Sequence, residues 1–183
     1  MGLDMYLYKR TYVQNWDHMK DEAKHSITIE GPEASHIDTK KITNIEEQVG
    51  YWRKANSIHK WFVDNVQNGD DNCQESLVSE EQLQELLDIC KTLQEEMVLK
   101  KGIIENGKVL QEAKLTPKYE LGDMVVNEEL CKELLPTTEG FFFGSKNYDQ
   151  WYFDDIKHTV EVLTEVLQNT NSSGVSYHYQ ASW

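Results

Sequence analysis

Ser79 is followed three residues later by Gln82, and after it Leu83, Leu86, Leu87, Cys90, Leu93 and Met97 recur at three- and four-residue spacing. Serine at an N-cap with glutamine at the third helical position forms a capping box, each side chain closing one unpaired backbone N–H. The spacing that follows places every apolar residue on one stripe of a helix over about 79–98. A single-stripe helix is marginal alone in water, so the rest of the chain must supply matching apolar faces.

Several segments supply them. Leu3, Met5 and Leu7 alternate with Asp4, Tyr6 and Tyr8, the period of a strand with one buried face. Residues 53–67 read as a helix with Ala55, Ile58, His59, Phe62, Val63 and Val66 inward, ended at Asn68-Gly69. Asn147 with Gln150 is expected to cap a last helix over 147–168. Its inner face carries Tyr148, Tyr152, Ile156, Val160, Leu163 and Leu167, and Gln150, Asp154, His158, Glu161 and Glu165 face water.

Less regular stretches join these elements. Lys41–Tyr51 reads as extended, 101–126 as short β-like pieces, and 127–135 as a short helix stopped by Pro136. Gly140–Gly144, with Phe141, Phe142 and Phe143 between its glycines, reads as a buried strand or a tight loop. Residues 14–40 read as a lid or exposed hairpin, with Ile27-Thr28-Ile29 strand-like and Gly31-Pro32 a turn. Val175–Trp183 is either a terminal strand or a loose tail. The expectation is one α+β domain over residues 1–183, a small mixed or antiparallel sheet packed against three main helices.

Charge then narrows function. Thirty-two acidic residues against 18 basic ones give a formal net charge of −14. Such a field repels a nucleic-acid polymer, whose binding needs many phosphate-neutralising cations. One small anion in a local basic pocket remains compatible with it. Aromatic residues make up 10% of the chain, enough to offset chain entropy where a disordered acidic protein could not.

Cys73, Cys90 and Cys131 are odd in number and form no CxxC or zinc-ligand spacing, so neither a disulfide framework nor a metal site is expected. Asp154 and His158 stand four apart, but two ligands on a solvated face do not make a metal site. The opening MGLDMYLYKR lacks a secretory apolar run and has Tyr6 where myristoylation wants Ser or Thr. No membrane span is expected, and the chain reads as cytoplasmic.

Two clusters are candidates for binding. In Gly50–Trp61, Arg53, Lys54 and Lys60 gather at the start of a helix, where free N–H groups and positive potential suit an anion. Tyr51, Trp52 and Trp61 add faces on which a base can stack, and Asn56 a group for its edge or a ribose. The competing reading makes Trp52 and Trp61 core anchors and His59 a hydrogen-bonded core histidine. In the second cluster, Phe142, Lys146, Tyr148 and Trp151 sit among glycines that permit close approach of a ligand. Filling a core is the alternative there. No P-loop, GxSxG, HExxH or dinucleotide glycine pattern occurs, and no cofactor is expected.

The opening MGLDMYL, the block VGYWRKANSIHKWFVDNVQ and the block ELLPTTEGFFFGSKNYDQWYFDDI resemble a family of small proteins encoded by tailed bacteriophages and prophages. The likeness runs from residue 1 to about 167. It implies an accessory protein, and some such proteins counter host defence by sequestering signal nucleotides without cleaving them. The leading expectation is therefore a nucleotide-binding sequestering protein. An acidic inhibitor of a host enzyme and a phosphodiesterase-like hydrolase using His59 with Asp64 are the alternatives, and homo-oligomerisation stays open.

Overall fold

The structure, a computed structural model, describes residues 2–32, 34–111, 114–140, 142–168 and 173–183. Strand β1 (Asp4–Tyr12) lies between β2 (Asn44–Arg53) and β6 (Val175–Ser182), and β3 (Ser76–Val78) pairs with the far edge of β6. All three pairings are antiparallel. The last strand thus enters the middle of the sheet, so the segment read as either strand or loose tail is a strand.

The period of two sets the two faces. Leu3, Met5, Leu7, Trp52, Val78, Tyr177, Tyr179 and Ala181 are buried on one side. Tyr6, Tyr8, Arg10, His178 and Gln180 take the other, only partly covered. On the buried side lie helices α1 (Asn56–Asn65), α2 (Glu80–Glu96) and α4 (Gln150–Gln168), all joined in one hydrophobic cluster. The fold is α+β, as read from the sequence, with antiparallel sheets. Among the described residues no helix is long and apolar enough to cross a membrane.

Helix α2 keeps its expected form. Ser79 Oγ accepts from Gln82 N–H at 3.1 Å, and Gln82 Oε1 accepts from Ser79 N–H at 3.0 Å. Leu83, Leu86, Leu87, Cys90 and Leu93 are its buried residues, and burial pushes the Cys90 thiol pKa up. That thiol is a small apolar group here and not a nucleophile.

Elsewhere the elements shift. Strand β2 runs to Arg53, and α1 begins only at Asn56. Helix α1 is buried on nearly every side, Asn56 and Ser57 included, so its single apolar face was too narrow a reading. The N-terminus of α4 is capped by Asp149 and not by Asn147: Asp149 Oδ1 accepts from Trp151 N–H at 3.0 Å, and its carbonyl accepts from Phe153 N–H at 3.0 Å.

Strands β4 (Leu99–Gln111) and β5 (Lys114–Val125) form one long two-stranded hairpin where short pieces were expected. Leu99, Ile104 and Val125 root it, while Ile103, Tyr119 and Leu121 are exposed. Helix α3 (Glu128–Leu134) follows it. Residues 14–40 hold single helical turns at Asp21–Ala23 and Ala34–His36, and Ile27-Thr28-Ile29 is not a strand. The expected hairpin is therefore absent from the described part of that stretch.

Candidate functional site

Between the end of β2, the start of α4 and the β4–β5 hairpin lies a cleft of ≈ 370 Å³. Its position follows from local backbone geometry. Lys54 leaves β2 with φ 62°, its N–H bonded to Leu3 O and its carbonyl accepting from Asn56 N–H at 2.9 Å. Left-handed backbone at a non-glycine residue is strained and is held here by those two bonds.

Opposite Lys54, Gly144 has φ 96°, and a Cβ on it would meet Lys54 O at 3.1 Å and Lys54 Cβ at 3.2 Å. Only glycine lets the 136–149 loop come this close. Asn56 fastens the same loop: its Nδ2 donates to Phe143 O at 3.2 Å and Ser145 O at 2.7 Å, and its Oδ1 accepts from Thr138 N–H at 3.1 Å.

The cleft joins the two clusters that the sequence presented separately. Arg53 and Lys54 line it from β2, and Trp151, 42% exposed, from α4. Arg53 and Lys54 are exposed and make no ion pair among the described residues, unusual in a chain this acidic. The Trp151 indole N–H donates to Glu105 O at 3.2 Å, which ties α4 to the hairpin at the rim.

Acidic groups that sequence reasoning passed over complete the lining. Asp149 is 2% exposed, and its Oδ2, itself closed to solvent, makes no hydrogen bond among the described residues. Burial pushes its pKa up, with Glu105 and Asp154 adding to the effect and the backbone N–H groups of Trp151 and Tyr152 opposing it. Asp155 is pushed up to about 7, by burial first and then by Asp154 and Asp149, with no cation to lower it. The signal for Asp155 was its helical spacing: Tyr152 and Thr159, three before and four after it, are both buried.

Several expected ligand contacts are not open to a ligand. Trp52 is 2% exposed, its indole N–H donating to Thr159 Oγ1 at 2.9 Å. Gly50 makes room for that ring, since a Cβ there would stand 2.7 Å from it. Trp61 is 5% exposed and set edge-on against Phe62. Strand alternation turns Tyr51 to the opposite side from Trp52, where its hydroxyl donates to Asp4 Oδ1 at 2.6 Å.

The other candidates have structural partners. Asn56 spends its whole amide on the loop, and Lys60 pairs with Asp64 at 2.6 Å on the outside of α1. Tyr148 is buried against Tyr152. Lys146 pairs with Glu139 outside the cleft. Phe142 is 54% exposed with φ 61° and flanks Gly2 together with Lys54. Phe141 lies outside the described residues.

His59 is 1% exposed and is a core histidine. Its Nε2 is 3.0 Å from Asp71 Oδ2 and its Nδ1 2.7 Å from the Tyr179 hydroxyl. Both ring nitrogens are therefore engaged, one with the Asp71 carboxylate and one with the Tyr179 hydroxyl. Burial holds the Tyr179 pKa well above its ordinary value, which keeps that donor protonated. Trp183 Nε1 donates to the other Asp71 oxygen at 3.0 Å. The pairing of His59 with Asp64 is thereby overturned, since Asp64 is bound to Lys60.

No protein-family model, curated protein or solved structure matches the chain.

Proposed function

We propose that this protein binds one small nucleotide-type ligand in the cleft and holds it without cleaving it. The observation that carries the reading is the meeting there of Arg53, Lys54 and Trp151: two cations that make no ion pair among the described residues, beside a half-open aromatic ring. Phosphate takes charge-assisted bonds from the cations, and a base takes the indole face. The volume falls in the ~300–1,000 Å³ range of small-ligand sites. It suits a mononucleotide-sized ligand.

Sequestration is favoured over hydrolysis because the one histidine offered as a base is buried, with both ring nitrogens engaged. The resemblance to phage-encoded accessory proteins supplies the setting. In it the ligand is a host signal nucleotide, and removing it counters a defence response.

A panel of mononucleotides screened by thermal shift tests the reading, with chromatography of the ligand recovered afterwards. The expected result is a rise in melting temperature for at least one nucleotide, lost in Arg53→Ala, with the ligand recovered unchanged. A changed product would turn the reading to hydrolysis. No shift across the panel would turn it to the acidic-inhibitor alternative.

A further inference from the structure

The register of the β4–β5 hairpin gives it two unlike faces. On one, Ile104 packs over Gly122 and is 3% exposed, with Gln150 of α4 beside them, so this face lies against the body. On the other stand two cross-strand pairs, Ile103 with Leu121 and Leu110 with Leu115, and Tyr119 between them. All five are between 61% and 73% exposed. The irregularity between Glu105 and Lys108 falls on β4, so the period of two runs unbroken along β5 and sets Leu115, Pro117, Tyr119 and Leu121 in one row. At its root the same face joins the core through Leu99 and Val125.

A two-stranded ribbon is marginal in water on its own, and monomers seldom show a contiguous apolar patch beyond a few hundred Å². These side chains leave roughly 400 Å² of apolar surface in water, taking about 100 Å² for a whole aliphatic side chain and about 200 Å² for tyrosine. Two such faces together hide about 800 Å². At the ~65% apolar share of a homodimer interface, that corresponds to about 1,200 Å² in all, the lower end of stable interfaces. Charge favours the same occupant. Residues 99–125 hold five lysines against four acidic residues, a net of +1 in a chain of −14. A second copy approaches here without the repulsion between two acidic bodies.

We propose that two copies of the chain dimerise face to face through this surface, about a two-fold axis that crosses the ribbon between Pro117 and Tyr119. A two-fold contact uses the same patch on both copies, so the patch must complement itself. The β5 row does so. Reversal about its midpoint lays Leu115 on Leu121 of the second copy and Pro117 on Tyr119 of the second copy, and on β4 it lays Leu110 on Ile103. Each aliphatic side chain then meets an aliphatic one, and each tyrosine ring meets a proline. The two ribbons stack at the ~10 Å spacing of packed sheets. Arg53, Lys54 and Trp151 lie outside this face, so dimer and ligand site stand or fall separately.

Sedimentation equilibrium of the full chain across the micromolar range tests this, alongside Leu115→Lys and Leu121→Glu. The wild type should approach twice the monomer mass as concentration rises. Both variants change exposed side chains and should keep the wild-type melting temperature. Each alone should weaken self-association by about tenfold or more, because its dimer sets two charges against leucines. Mixed one to one, the two variants should recover it. The mixed dimer sets the introduced lysine against the introduced glutamate at one contact and keeps leucine on leucine at the other. A wild type that stays monomeric throughout overturns the dimer and leaves the face to a different protein. A wild-type dimer that both variants leave intact lies on another surface and overturns it equally. Loss in both without recovery on mixing overturns the two-fold register. Tyr119→Glu, in the same row, repeats the test should either variant fail to fold.

Discussion

Asn56 and Arg53 stand three residues apart and do opposite work. The Asn56 amide makes three hydrogen bonds to the 136–149 loop from a buried position, so its loss strands two carbonyls and an N–H. Asn56→Ala should cost about 2–4 kcal/mol in urea denaturation. Arg53→Ala should stay within about ±0.5 kcal/mol, because the side chain is exposed and makes no ion pair among the described residues. Asp155 gives a pH signature at the same scale. Its pKa of about 7 in the fold lies above the ~3.9 of an unfolded aspartate, so between those values the native state keeps a proton that the unfolded chain has lost. Stability therefore falls as pH rises through that window and levels off above it. Asp155→Asn should be more stable than wild type at pH 8, by on the order of 1–3 kcal/mol, and the gain should vanish near pH 4. Denaturation at the two pH values reads this directly, and a variant less stable than wild type at pH 8 would contradict the sign.

At the scale of elements, α2 was legible down to its cap because the capping box and the apolar stripe are both local signals. Leu87→Ala should cost about 2–5 kcal/mol, while Glu95→Ala, on the exposed face, should stay within about ±0.5 kcal/mol; equal costs would mean the faces are reversed. The start of α1 was misplaced for a physical reason. Tyr51-Trp52-Arg53 carries no turn residue to mark the strand's end, and the break falls instead at the left-handed Lys54, a conformation that no lysine announces. That error turned Trp52 into a ligand face when strand alternation places it in the core. The β4–β5 hairpin hid itself differently. Ile103, Tyr119 and Leu121 are exposed on it, so it lacks the half-buried alternation by which strands are recognised.

Across the whole molecule, the cleft is a product of tertiary structure. Its residues come from β2, the start of α1, the β4–β5 hairpin, the 136–149 loop and α4, and no linear motif links Arg53 to Asp155. The sequence presented Arg53, Lys54 and Trp151 as members of two clusters; only the approach of Gly144 to Lys54 makes them neighbours. The carboxylates went unread because acidic side chains are abundant in a chain of net charge −14, and burial alone marks the two that differ. Trp151 offers a direct view of ligand entry, because Trp52 and Trp61 are buried and Trp16 and Trp183 do not line the cleft. Whichever mononucleotide of the panel raises the melting temperature most, titrated into the wild type, should quench its tryptophan emission saturably. In Trp151→Phe the quench should disappear, while calorimetry still registers binding on the retained ring and the Arg53–Lys54 pair. An undiminished quench in Trp151→Phe, or a wild-type signal that never saturates, would contradict a nucleotide site in this cleft.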